Sequence, residues 1–161
     1  MLSYQHAYHA GNRADLHKHS ILCAALDKLT KQNRPLLYVE THAGRGVYDL
    51  TADESLKTGE AAEGWLKLCE DKKFLSTLPQ SFLTAIKKLN RQKLGPLYPG
   101  SPYFAAHILR HQDKLTLYEL HPQEHAALKK HLGKDKRLTI HKQDGLKGAL
   151  NLKTPPDLVL I

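Results

Sequence analysis

Cysteine is scarce in this sequence. Cys23 and Cys69 are the only two among 161 residues, too few for a disulfide framework and too far apart for a Cys-x-x-Cys metal or redox motif. Both fall in apolar helical patterns, where a free thiol packs as a small hydrophobe. Long apolar runs are also missing: none approaches the roughly 20 residues a membrane span requires. The opening MLSYQHAYHAGNRADLHKH is polar and has no apolar signal core, so no secretion signal is read and a cytoplasmic location is expected. Internal repeats and low-complexity tracts are absent too. Acidic residues are outnumbered, 16 against 24 Lys and Arg, leaving a net charge of +8 and a pI near 9.5. That balance points to a polyanionic partner such as nucleic acid. With 41% hydrophobic and 25% charged residues the chain reads as globular, large enough for one sizeable core.

The apolar residues that are present follow two rhythms. Across residues 14–32, Leu16, Ile21, Leu22, Ala25, Leu26 and Leu29 recur at helical spacing, with Asp15 at the end where negative charge is favoured. Pro35 breaks that pattern, and LLYVET then reads as a short strand leading into the glycine-bearing loop HAGRG. Residues 55–94 change character. Two amphipathic stretches, around Trp65, Leu66 and Leu68 and around Phe82, Leu83, Ile86 and Leu89, suggest a small helical insertion whose aromatics serve packing rather than ligand stacking. From YPGSPYFAAHILR onward the order is helix, strand LTLYEL, helix PQEHAALKKHL, strand RLTIHK, a short helix near DGLKGAL, and a terminal strand in TPPDLVLI. The run Leu158 to Ile161 is expected to be buried on both faces. Strands alternating with helices imply an α/β fold with a parallel sheet. The expected division is a core of residues 1–54 and 95–161, with 55–94 inserted.

Ligands of open parallel sheets bind beyond the carboxyl ends of the strands. The residues there are Thr41 to Gly46 after the first strand, Glu119 after the second, and Asp144 with Gly145 after the third. Gly44 and Gly46 would let backbone approach a cofactor closely. A carboxylate after the next strand can accept hydrogen bonds from both ribose hydroxyls. The dinucleotide template starting at Gly44 requires Gly or Ala at position 49, and the chain has Asp49. Two successive acidic strand ends would also repel a pyrophosphate. They suit S-adenosylmethionine better, with Asp144 accepting from the adenine amino group. Ser101 before Pro102 reads first as a helix N-cap, and its hydroxyl and helix start could meet a ligand carboxylate. The histidine pairs His6/His9 and His17/His19 lack the three or four convergent ligands of a zinc site, so no metal is expected.

The motifs MLSYQHAYHAGNRADLHKH, YVETHAGRGVYDL, TGEAAEG, LYPGSP, LYELHP and the DG at 144, in that order, resemble the bacterial ribosomal RNA large subunit methyltransferase J family over the whole chain. The resemblance implies a Rossmann-like class I S-adenosylmethionine-dependent methyltransferase fold with a helical insertion. It also implies methylation of the exocyclic N6 amine of an adenine in 23S ribosomal RNA. By the same resemblance His19, His42, Ser101, Glu119, Asp144 and Gly145 surround S-adenosylmethionine with Lys18 beside them, and Tyr4, His6, His9, Asn12 and Lys18 are expected to meet the RNA.

The family continues its fourth strand into Asp-Pro-Pro-Tyr, whose Asp and Tyr hold the target base. That motif is expected immediately after Ile161, so these 161 residues are expected to bind cofactor without transferring a methyl group. An open sheet edge beside the last strand favours self-association, the family's full-length protein being expected to be a monomer. Two other classes remain open at this point: a nucleotide-dependent oxidoreductase on a similar sheet, and a non-catalytic RNA-binding module.

Overall fold

A computed structural model describes residues 5–161, so Tyr4, expected at the RNA, lies outside the described residues. The first long helix, α1 (Arg13–Leu29), starts where Asn12 caps it, the side chain accepting from the Asp15 N–H. It ends before Pro35, and β1 (Leu37–Glu40) follows. After the glycine loop come β2 (Val47–Asp49) and five short helices: α2 (Asp53–Thr58), α3 (Glu60–Glu63), α4 (Trp65–Leu68), α5 (Lys72–Leu75) and α6 (Gln80–Leu89). The rest alternates: β3 (Leu97–Pro99), α7 (Ser101–Ile108), β4 (Lys114–Tyr118), α8 (Pro122–Leu132), β5 (Leu138–His141), α9 (Gly145–Leu150) and β6 (Leu158–Leu160).

The main sheet has the order β5-β4-β1-β6. All its pairings are parallel, with Tyr38 opposite both Leu115 and Leu158, and Leu115 opposite Leu138. In this register Tyr38, Val39, Leu115 and Leu117 are almost wholly buried, and Tyr38, Leu115 and Leu117 pack with Leu22 and Leu26 of α1 and Leu128 of α8. A second apolar cluster joins α1 and α7 to the helical segment through Cys23, Trp65, Phe82, Tyr98 and Phe104. Phe82 stacks on Phe104 with ring centroids 4.8 Å apart, and Trp65 meets Phe82 edge-on at 5.9 Å. These aromatics do serve packing.

Three local expectations need correction. Of the two amphipathic stretches in residues 55–94, the second is the single helix α6, whereas the first is broken into α3 and α4. Gly59 takes a left-handed turn at φ 67° that ends α2, and at Gly64 a side chain would strike the carbonyl of Gly11, so the chain breaks and Trp65 N–H bonds that carbonyl at 2.8 Å. Second, Leu97–Pro99 leads into α7 as a strand and pairs antiparallel with β2. This two-stranded ribbon was hidden because neither partner exceeds three residues. Third, β6 is an edge strand: Val159 is 38% exposed and Ile161 80% exposed. Four apolar residues in a row do not by themselves reveal that only one neighbouring strand is present.

Cys23 is fully buried, whereas Cys69 is half-buried just beyond α4. Burial pushes both thiols up, away from reactive thiolate character. Among the described residues no helix is long and apolar enough to cross a membrane. Replacing Phe82 by Ala removes a fully buried ring from the second cluster and should cost about 3–5 kcal/mol of stability, read as a lower midpoint in urea denaturation.

Candidate functional site

The strand ends build the site in layers. Past β1 the ladder continues: Thr41 N–H donates to Leu160 at 3.1 Å and Ala43 N–H to Tyr118 at 2.9 Å, while Glu119 N–H donates to His141 at 3.0 Å. The carboxyl ends of four strands are thereby held level. Gly44 and Gly46 then turn with φ of 62° and 80°, values at which a Cβ is strained. At Gly44 a Cβ would also collide with the Tyr48 hydroxyl.

Glu119 receives two backbone donors. Gly44 N–H reaches Oε2 at 2.8 Å and His121 N–H reaches Oε1 at 2.7 Å. The side chain is half-buried, and a carboxylate has about four acceptor positions, so it keeps capacity toward the cavity. Asp144 caps α9 by accepting the Lys147 N–H at 3.0 Å through Oδ1. Gly145 lies against the backbone of Thr41 so closely that a Cβ would overlap the Thr41 carbonyl.

Two adjoining hollows result. One, of about 310 Å³, is lined by His6, Thr41, His42, Gly44, Glu119, Leu120, His121, Glu124, Asp144, Gly145 and Leu146. The other, of about 230 Å³, is lined by His6, Lys18, His19, Glu40, His42, Gly44, Tyr48, Ser101 and Leu160 among others. His6, His42 and Gly44 belong to both. All seven residues expected at a cofactor, His19, His42, Ser101, Glu119, Asp144, Gly145 and Lys18, therefore gather around one composite cleft. A larger groove of about 450 Å³ beside α1, lined by Arg13, Leu16, Phe74 and Leu78 among others, lies away from the strand ends and has no acid in its wall.

Ser101 is not the helix N-cap. Gly100 occupies that position, and the Ser101 hydroxyl donates instead to Glu40 Oε1. The Tyr38 hydroxyl donates to Glu40 Oε2 at 3.0 Å. Glu40, 2% exposed, is the residue that sequence reasoning passed over, and the available signal was its position as the last residue of an otherwise apolar strand. Burial pushes its carboxyl up to about 8, overriding the lowering effect of the two hydroxyl donors and Lys18. Leu120 and Leu146, each 49% exposed, were missed as well. They put apolar surface in the wall that also holds Glu119 and Asp144.

His19 is 1% exposed, with Nδ1 2.9 Å from the Tyr98 hydroxyl. Burial drives its pKa down to about 3, so the ring is neutral. The buried Tyr98 hydroxyl needs an acceptor, and Nδ1 supplies one; the ring proton then resides on Nε2, which has no partner. Lys18 pairs with Asp15 at 2.9 Å. Asp15 also accepts from Gly11 N–H at 3.0 Å and lies 2.8 Å from His6 Nε2. Burial would raise this carboxyl, yet the hydrogen bond with His6 and the nearby His19 and Lys18 hold it well below the usual range.

His9 and Asn12, expected at RNA, both reach Glu60 at 2.8 Å. Among the described residues no group of three or more His, Cys, Asp or Glu side chains is arranged to hold a metal ion.

A parallel sheet whose glycine turn and acidic loops converge beyond its carboxyl ends defines the Rossmann-like class of nucleotide-binding folds. Residues 33–161 match the family model described as ribosomal RNA large subunit methyltransferase D, RlmJ, and the chain belongs to that family. It is 38% identical over 156 residues to ribosomal RNA large subunit methyltransferase J of Escherichia coli K12, covering 97% of this chain and 55% of that protein. To its namesake from Haemophilus influenzae it is 38% identical over 168 positions, covering 100% of this chain and 58% of the relative. The crystal structure of protein LPL1258 from Legionella pneumophila superposes with a TM-score of 0.79 at 40% identity, over 92% of this chain and 54% of that one. The chain thus spans about half the length of the relatives it matches.

The buried acid in the cleft makes a testable pH signature. Glu40 has a folded pKa of about 8 against 4.5 when free, so the folded state holds an extra proton in that window and stability falls as pH rises through it. His19, lowered from 6.5 to about 3, acts oppositely and adds stability as pH rises to 6.5. The two slopes offset below 6.5, and the decline emerges from pH 6.5 to 8, about 2 kcal/mol in size. Denaturant titrations across pH 6–9 should find that decline in the unaltered chain and much less of it in Glu40→Gln.

Proposed function

We propose that the cleft binds S-adenosylmethionine and serves methylation of the exocyclic N6 amine of an adenine in 23S ribosomal RNA, these 161 residues by themselves holding the cofactor without transferring the methyl group. One observation carries the reading: Glu40, Glu119 and Asp144, from the ends of three different strands, converge with the Gly44 turn on one composite cleft. The carboxylates of Glu119 and Asp144 repel a pyrophosphate and favour a cofactor bearing positive charge, which argues against a dinucleotide. The printed names of the relatives support ribosomal RNA as the substrate class, and the net charge of +8 agrees with a polyanionic partner. We take residues 55–94 as a helical insertion in a core formed by 1–54 and 95–161.

The residues present fit the cofactor. Glu119 would accept hydrogen bonds from the ribose hydroxyls, its geometry fixed by the Gly44 and His121 amides. Asp144 keeps one carboxylate oxygen for an adenine amino group while the other caps α9. Leu120 and Leu146 offer apolar surface to the flat base. In the second hollow the neutral His19 would donate from Nε2 to a carboxylate, with Lys18 adding charge. Ser101 and Glu40 form a hydrogen-bonded pair in the same wall, and His42 stands where the two hollows meet. When bound, S-adenosylmethionine supplies an electrophilic methyl group on its sulfonium. His6 and Lys18 line the cleft, and the residues proposed to meet the RNA are these two with Tyr4, His9 and Asn12. A base inside a duplex cannot reach such a cleft, so the target adenine must be unpaired or flipped outward, at a cost of about a few kcal/mol.

Calorimetric titration tests the reading. S-Adenosylmethionine should bind, NAD should not, and Glu119→Ala should weaken the former by about tenfold or more, as expected when a hydrogen-bonded carboxylate is lost. Binding of NAD in preference, or a Glu119→Ala variant with unchanged affinity, would defeat it.

A further inference from the structure

Acidic residues are unevenly placed. The 41 residues from Lys72 to Gln112 contain no Asp or Glu but seven Lys and Arg, although the whole chain has 16 acids. One of the seven, Arg110, is committed to Asp113 and to backbone carbonyls. Four others, Lys87, Lys88, Arg91 and Lys93, crowd the last turn of α6 and the bend behind it. Gln92 N–H donates back to the Lys87 carbonyl at 2.6 Å and Lys93 N–H to Asn90 at 3.2 Å, so the bend folds onto the helix end and the four cations share one small knob. Lys88, Arg91, Gln92 and Lys93 are exposed and Lys87 is half-buried. Among the described residues none of the four cations forms an ion pair with a carboxylate.

The backbone of the knob is unusual. Arg91 and Gln92 both have positive φ, 53° and 72°, and they are the only described non-glycine residues that do. Glycine would occupy either position at lower cost, and strained backbone of this kind collects where a surface has work to do. Four unneutralised cations repel one another, and an anion with regularly spaced charges would relieve that. A phosphate backbone has such spacing and gains further by releasing its counterions.

The geometry points to this knob, Lys87 to Lys93, as a docking surface for the phosphate backbone of RNA at a distance from the cleft. The inference rests on the RNA methyltransferase reading and extends it. None of Lys87, Lys88, Arg91 and Lys93 lines either hollow of the cleft, and the eight residues between Lys93 and Ser101 span at most about 28 Å. The knob therefore engages RNA flanking the target base within about eight stacked nucleotides at 3.4 Å each.

The test compares three forms of the 161-residue chain: unaltered, the knob variant Lys87→Gln/Lys88→Gln/Arg91→Gln/Lys93→Gln, and a charge-matched control, Lys129→Gln/Lys130→Gln/Lys134→Gln/Lys136→Gln. Each is titrated at several salt concentrations with a structured 23S RNA fragment of some tens of nucleotides, with an adenine-containing tetranucleotide, with polyglutamate and with S-adenosylmethionine. The knob variant should lose about tenfold or more in affinity for the long RNA, and its log K against log salt slope should flatten by about 3. Tetranucleotide and S-adenosylmethionine binding should not change. Arg91→Gly alone removes a cation and relieves the backbone, so it should weaken long-RNA binding while denaturing no more easily than the unaltered chain. Unchanged RNA affinity in the knob variant, equal losses in the control variant, or an equal loss toward polyglutamate would overturn the proposal. If S-adenosylmethionine fails to bind any form while the RNA pattern holds, the cofactor reading falls and the docking surface stands.

Discussion

The hydrogen bond from the Gly44 amide to the Glu119 carboxylate, 2.8 Å long, is the contact on which the rest of the cleft depends. It joins the turn after β1 to the residue after β4, and it can form only because those strands lie side by side and in parallel. It also requires Gly44 to take a positive φ, which makes the turn tight enough to return its amide to the neighbouring strand. The same carboxylate holds His121 at the start of α8. One side chain therefore fixes two loops, and the apolar core of β1, β4, α1 and α8 fixes the strands from which those loops emerge. The Arg45 guanidinium adds a bidentate pair with Glu124 on α8, at 2.6 to 3.2 Å, so the turn is tied at both ends.

Rigid loops place acids in a confined space, and that has an electrostatic cost. Glu40 meets it through burial, which pushes its carboxyl up against the opposing effect of the two hydroxyls that donate to it. Glu119 and Asp144 meet it by accepting backbone amides, and Glu124 by pairing with Arg45. Asp15 balances its burial with His6, Lys18 and a backbone amide. Each acid around the cleft thus has its own hydrogen-bond or ion-pair partners, and each keeps the surrounding backbone in one arrangement.

Much of this was legible in the sequence because period and punctuation were clear. The α1 helix showed its apolar face and stopped before Pro35. The parallel sheet followed from strands and helices in alternation, and strand ends identified Glu119, Asp144 and Gly145 as neighbours before any coordinates. What remained hidden was set by tertiary contact. The strands β2 and β3, three residues each, have no period to detect. The breaks at Gly59 and Gly64 depend on a left-handed turn and on a carbonyl of the distant Gly11. Ser101 looked like a cap because Ser-Pro is a common helix start, yet the decisive partner, Glu40, is 61 residues away. Glu40 itself was read as part of a strand because its chemistry comes from burial, which a single sequence does not print.

Charge in this molecule is grouped by place: several acids gather at the cleft, while others such as Glu63 and Asp71 lie exposed elsewhere. Acids line an inner cleft where each is satisfied by amides, hydroxyls or a single cation, whereas the unpaired lysines and arginines of the α6 bend face water. Salt then acts on the two regions differently. A Debye length of about 8 Å at physiological ionic strength weakens attraction at the exposed bend far more than contacts inside the cleft. On the proposed reading, long RNA affinity is governed by ionic strength while occupancy of the cleft is governed by shape and hydrogen bonding.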